Sequence, residues 1–338
     1  MPARRQSLLG IATAISAAGA MILAIAPAAQ SAPPANPGRP AYCDDASIIP
    51  AEALANGHLD QRCDITGRTV LGRNLTVVVP PAGETAWGEN MAESGGVADE
   101  LTLTHRGGRV TATGAFNSTD DRGTPDFDGG YSAAADQSCS QLDYVHLDRK
   151  ERDTFHWRIN IGTTPSYISQ ANADFAIASG ANWLVSGTND CGLQSGIINA
   201  SHAHDSATTL MPNMTTSGCG SRDSNNVVAF ADRTGNTLAT ACGWTFPVFG
   251  YTNELQEADI VFDNTSRNWF TNVPAGCSNQ YDLASVSVHE FGHVFGLGHV
   301  SESTTPWLTM SPNLAPCNTS ARTLGRGDYK GMYDRYNV

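Results

Sequence analysis

Three histidines and one glutamate lie close together in the run His289-Glu290-Phe291-Gly292-His293-Val294-Phe295-Gly296-Leu297-Gly298-His299. Histidines four residues apart on a helix project from nearly the same face. Neutral imidazole is a good zinc ligand, and three protein ligands leave a four-coordinate ion one open place for water. Glu290 adjoins the first histidine and can reach that water without binding the metal. Gly296 lets the helix end and the chain turn back, because glycine tolerates left-handed backbone angles. The turn carries His299 round as the third ligand. The plain alternative is a helix with incidental surface histidines. Against it, Leu283, Val286, Phe291 and Val294 recur at broadly helical spacing, and Asp282 is placed to cap the helix. Three buried imidazoles without a metal would also leave polar nitrogens to satisfy.

The extended motif resembles that of the metzincin metallopeptidases. The stretch from Tyr281 to His293 is similar to the matrixin branch in particular. That resemblance implies a zinc endopeptidase with one catalytic Zn2+ held by His289, His293 and His299, and Glu290 as general base. Met310, in Leu308-Thr309-Met310-Ser311-Pro312, stands where the family places a methionine turn, a packing floor with no proton-transfer role. Pro312 is implied to wall the pocket for the residue after the cut. The segment Leu324 to Tyr333 is similar to the matrixin C-terminal helix, which usually starts with two adjacent aspartates. Here Gly327 precedes Asp328.

Upstream, His156 to Ile161 alternates like the family's first strand, and Ser169 to Trp183 reads as its first long helix. Glu257 to Asp263, followed by Trp269, resembles the strand and aromatic ahead of the active-site helix. Asn225 to Phe230 and Thr237 to Phe246 are strand-like. By analogy Leu238, Ala239, Thr240 and Ala241 belong to an edge strand above the cleft, where an extended peptide can add as a further strand. An ordinary structural strand is the alternative. The fold class implied is α+β: a metzincin-like twisted mixed β-sheet with two long helices, an active-site helix and a C-terminal helix, preceded by a small β-rich N-terminal unit.

The chain has 338 residues, enough for two modest domains or one domain with a long pro-region, and its 41% hydrophobic content is adequate for a packed core. A net charge of −13 opposes binding to nucleic acid and to anionic lipid. Arg4 and Arg5, then an apolar run from Leu8 to about Ala26 and small residues, read as an export signal spanning 1–32. An uncleaved membrane anchor is the competing reading. A secreted, extracellular protein with no stable membrane association after cleavage is expected. Eight cysteines fit export and allow about 105 pairings. Pairing of neighbours is expected: Cys43–Cys63, Cys139–Cys191, Cys219–Cys242 and Cys277–Cys317.

Residues 33–138 read as a pro-region or a small β-rich accessory domain, and 139–338 as the catalytic domain. Leu75 to Val79 is a strand, and Leu101 to His105 with Val110 to Thr113 a hairpin around Gly107-Gly108. Matrixin pro-regions commonly cap the zinc with a cysteine. Arg122-Gly123-Thr124-Pro125-Asp126 resembles that segment but holds none; Asp126 or Asp128 could cap the ion instead. His202-Ala203-His204-Asp205 reads as a solvated loop, and a structural Ca2+ or second Zn2+ is not assignable. Protein or peptide is the expected substrate. A catalytically silent, zinc-containing extracellular binding protein is the alternative, though a pure binder has no need of Glu290.

Overall fold

The computed structural model describes residues 39–44, 48–114, 137–248 and 253–337. The signal segment and the Asp126/Asp128 segment lie outside them. From Pro40 onward the chain forms one compact unit. Its main elements are β1 (Thr85–Glu93), β2 (Glu100–Arg106), β3 (Arg109–Gly114), β4 (Thr154–Ile159), α1 (Gln170–Ser186), β5 (Ser201–His204), β6 (Val227–Ala231), β7 (Thr237–Phe246), β8 (Asn253–Asp263), α2 (Leu283–Val294) and α3 (Arg326–Tyr336).

One mixed sheet runs in the order β5-β4-β6-β8-β7-β1-β2-β3 and ends on His58–Leu59. The strands β5, β4, β6 and β8 are parallel, and β7 turns antiparallel to β8. The fold is therefore the mixed α+β arrangement expected. β4 shows the half-buried pattern directly: Phe155, Trp157 and Ile159 face the core while Thr154, His156 and Arg158 face water. A second sheet joins Thr76–Val78 of the N-terminal region to Gly218–Cys219 of the later half.

Two helices cover the sheet. The Ser169 side chain accepts from the Asn172 amide to start α1, and Gly187, at φ 66°, ends it. Gly180 faces α2 so closely that an added Cβ would lie 2.5 Å from Ser287 Oγ. Ser287 Oγ donates to Ile177 O at 2.9 Å, which locks the two helices together. Asp282 caps α2 by accepting from the Ser285 amide at 3.0 Å, as its position predicts. Arg322 grips the same carboxylate from the other side, at 2.7 and 2.6 Å. All residues of α2 are buried.

Neighbouring cysteines do pair, giving Cys43–Cys63, Cys139–Cys191, Cys219–Cys242 and Cys277–Cys317. Two expectations need correction. His202 to His204 is not a loop but β5, paired in parallel with β4; Trp157 stacks on His204 at 4.3 Å and donates to His202, which supplies the packing a loop would lack. Nor is β7 an edge. β1 lies antiparallel along its outer side, pairing Glu89 with Ala241, Asn90 with Thr240 and Met91 with Ala239.

Candidate metal centre

The last turns of α2 present His289 and His293 to one point. Gly296, at φ 85°, then reverses the chain, and its amide donates to His293 O at 3.0 Å. An added Cβ there would run into the Arg149 carbonyl, so the reversal needs glycine twice over. His299 arrives opposite. The Nε2 atoms of His289 and His293 are 2.9 Å apart, and those of His289 and His299 3.2 Å.

The outer nitrogens explain why. His289 Nδ1 donates to Thr309 O at 2.8 Å, and His293 Nδ1 to Leu297 O at 3.0 Å. Those bonds fix the tautomer that leaves each Nε2 a lone pair. Lone pairs aimed at one another repel unless a cation lies between them, so the donor set fits zinc. Burial, with His293 and His299 nearby, holds His289 well below its usual range. Burial and then His293 push His299 down to about 3. Both rings are thereby kept neutral, the form a metal requires. For His293, burial pushes down but Glu89 outweighs it and the ring is raised.

Glu290 sits beside this point, fully buried. Among the described residues neither carboxylate oxygen has a partner at ordinary hydrogen-bond geometry, although the amides of Met91 and Ala241 face it and favour its charge. Burial still lifts its pKa to about 8. A buried carboxylate without partners is costly and is the form expected of a group reserved for a water or a substrate.

The floor is built from Met310, 1% exposed, whose side chain packs on Gly292. Asp328 accepts from the amides of Thr309 at 2.8 Å and Met310 at 3.1 Å, and from Gly325 at 3.0 Å. A single aspartate thus ties α3 to the turn whose carbonyl orients His289. Pro312 O accepts from the Ala92 amide at 3.0 Å, so Pro312 and residues 238–241 lie on opposite sides of β1.

Three contributors were not singled out from the sequence. Glu89, from β1, lies 2.9 Å from His293 Nδ1 and is ion-paired with buried Arg149. Burial opposes its charge, but His293 and Arg149 overcome this and its pKa is lowered. Glu100, opposite Glu89 on β2, joins Glu89 and His299 in one cluster. Arg149 also donates to His293 O at 3.0 Å and covers Trp87, 3.4 Å from the ring centre. Among the described residues a further grouping, Cys43, His58 and Cys63, has both sulfurs in a disulfide and offers no thiolate. The Matrixin family model, of the M10 peptidases, matches residues 111–337. No curated protein matches the chain.

Proposed function

The chain belongs to the matrixin family of zinc-dependent peptidases, and on that premise we propose that it is a secreted endopeptidase in which Glu290 is the general base. The observation that carries this reading is the convergence of three Nε2 atoms beside a buried carboxylate that only the Met91 and Ala241 amides face among the described residues. Zinc at that point supplies Lewis acidity toward the scissile carbonyl and lowers the pKa of water. Glu290 takes the proton of the attacking water and hands it to the leaving amine. Burial lifts its pKa to about 8, near the operating pH, which suits a group that must both take a proton and give it up. Thr309 O and Leu297 O keep His289 and His293 aimed, and Met310 closes the floor beneath them.

Four disulfides support export. Among the described residues no helix is long and apolar enough to cross a membrane.

Glu290→Ala tests the mechanism. Casein hydrolysis should fall by about 10²–10⁴-fold, the usual weight of a general base, with zinc content unchanged. Wild-type turnover at equal zinc would refute it. Chelation should abolish activity and added zinc restore it.

A further inference from the structure

The face of β4 that points away from the helices carries chemistry that the metal centre does not use. Trp157 packs inward on Phe291 of α2, ring centres 5.1 Å apart, whereas His156 and Arg158 point to the opposite side of the sheet. There they meet Asp205, just past β5, and the segment Ser224-Asn225-Asn226 that leads into β6. These residues line a polar recess of about 180 Å³, below the roughly 300–1,000 Å³ of sites for drug-sized ligands.

The recess is held in shape from behind. The Asn226 side chain donates to His156 O and accepts from the Ala258 amide, both at 2.8 Å. Glu257 accepts from the amides of Asp223, at 2.9 Å, and Ser224. Ser224 is kept at φ 67°, a left-handed backbone that a residue other than glycine holds only where its surroundings over-determine it.

The groups facing the recess still have bonding capacity. His156 Nδ1 lies 3.1 Å from Asp205 Oδ1, and donation there leaves His156 Nε2 an acceptor in the neutral ring. Asn225 directs its Nδ2 to Asp223, which leaves its Oδ1 open. Among the described residues Asp205 Oδ2 is open as well, and the Arg158 guanidinium has no partner. A fixed positive charge and a carboxylate therefore share one recess without being paired to each other. A bare anion would satisfy Arg158 but face three acceptors, and a bare cation would do the reverse. A molecule with both charges on neighbouring groups satisfies both. An α-carboxylate fits the planar fork of Arg158, and an ammonium has three N–H donors for the three acceptors. Such a molecule has no net charge, so the chain's −13 does not repel it.

We propose that this recess binds a free α-amino acid, with Arg158 on its carboxylate and Asp205, Asn225 and His156 on its ammonium. The site lies across the sheet from α2, and the proposal does not depend on the endopeptidase reading.

Calorimetric titration of the full chain with L-alanine tests it. N-acetyl-L-alanine and L-alaninamide serve as probes that each lack one of the two charges. Alanine should bind, and each blocked probe should bind at least about tenfold more weakly, the weight of one hydrogen bond to a charged group. Arg158→Gln and Asp205→Asn should each weaken alanine by a similar factor, while zinc content and casein hydrolysis stay at the wild-type level. Asp205→Asn should spare what binding N-acetyl-L-alanine shows, and Arg158→Gln should remove it. Absence of alanine binding up to about 10 mM would overturn the proposal. So would unchanged affinity in either variant. N-acetyl-L-alanine bound as tightly as alanine would reduce the recess to a simple anion pocket and overturn it too.

Discussion

Replacing Gly180 with alanine sets two effects of known size against each other. In an exposed helix interior the change stabilises by about 1 kcal/mol, because alanine loses less backbone freedom on folding. Gly180 instead lies where α1 meets α2. A Cβ there would sit 2.5 Å from Ser287 Oγ, 2.6 Å from Ser287 Cβ and 2.8 Å from the Val288 amide nitrogen. Ordinary contact begins near 3.4 Å, so the backbone at Val288 falls short by 3.4 − 2.8 = 0.6 Å. A side chain could rotate away, but a helix backbone cannot, so the helices must part. Overpacking of this kind costs about 1–3 kcal/mol. The net expectation is a loss of about 0–2 kcal/mol, so that the propensity gain is cancelled or outweighed. Urea unfolding of the metal-free chain reads it. Because Val288 adjoins His289, a competition titration should also show weaker zinc binding. Ser287→Gly removes two of the three close atoms and should recover part of the loss. A stabilised Gly180→Ala chain would mean that the helices are not in register at this contact.

Further outcomes follow from single contacts. Breaking Cys277–Cys317 with a pair of serines opens a loop of sequence separation 40, worth about 4 kcal/mol by chain entropy, and should lower the denaturation midpoint accordingly. Asp328, fully buried, has its pKa raised by burial to about 6, against its three amide bonds. The folded chain therefore holds a proton that the unfolded chain has released, so this group's contribution falls as pH rises from about 4 to 6 and is flat above. The drop is about 3 kcal/mol, and Asp328→Asn should erase that slope in denaturant titrations of metal-free chain. Arg322→Ala leaves Asp282 buried and unpaired; since Arg322 is 27% exposed, a cost near or below the low end of the 3–5 kcal/mol range is expected in thermal or chemical melts.

Much of the candidate metal centre's geometry was legible because it is local. The ligand spacing, the Gly296 reversal and the Asp282 cap each depend on residues within one or two turns of one another. α1 and β4 were legible for the same reason, since periodicity is a short-range property. The position of β1 was not. Its pairing with β7 spans some 150 residues of chain, and its sequence, Thr85-Ala86-Trp87-Gly88-Glu89-Asn90-Met91-Ala92-Glu93, carries no alternation because both faces are buried. Glu89 is hidden further by being a charge inside such a strand, sustained only by Arg149 from elsewhere. Asp328 stood out as an isolated aspartate, but its three amide partners lie in a turn that only tertiary structure brings near. β5 was misread because polar histidines masked a strand whose packing comes from Trp157.

The supports of α2 follow the three histidines in the chain. Cys317 closes the bridge to Cys277, Arg322 holds Asp282, and Asp328 fixes the turn that aims His289. A ribosome that has released His299 has made every ligand but none of these braces. The candidate centre can therefore take its final shape only after residues 317–328 have been made, and a product terminated before them would lack its braces.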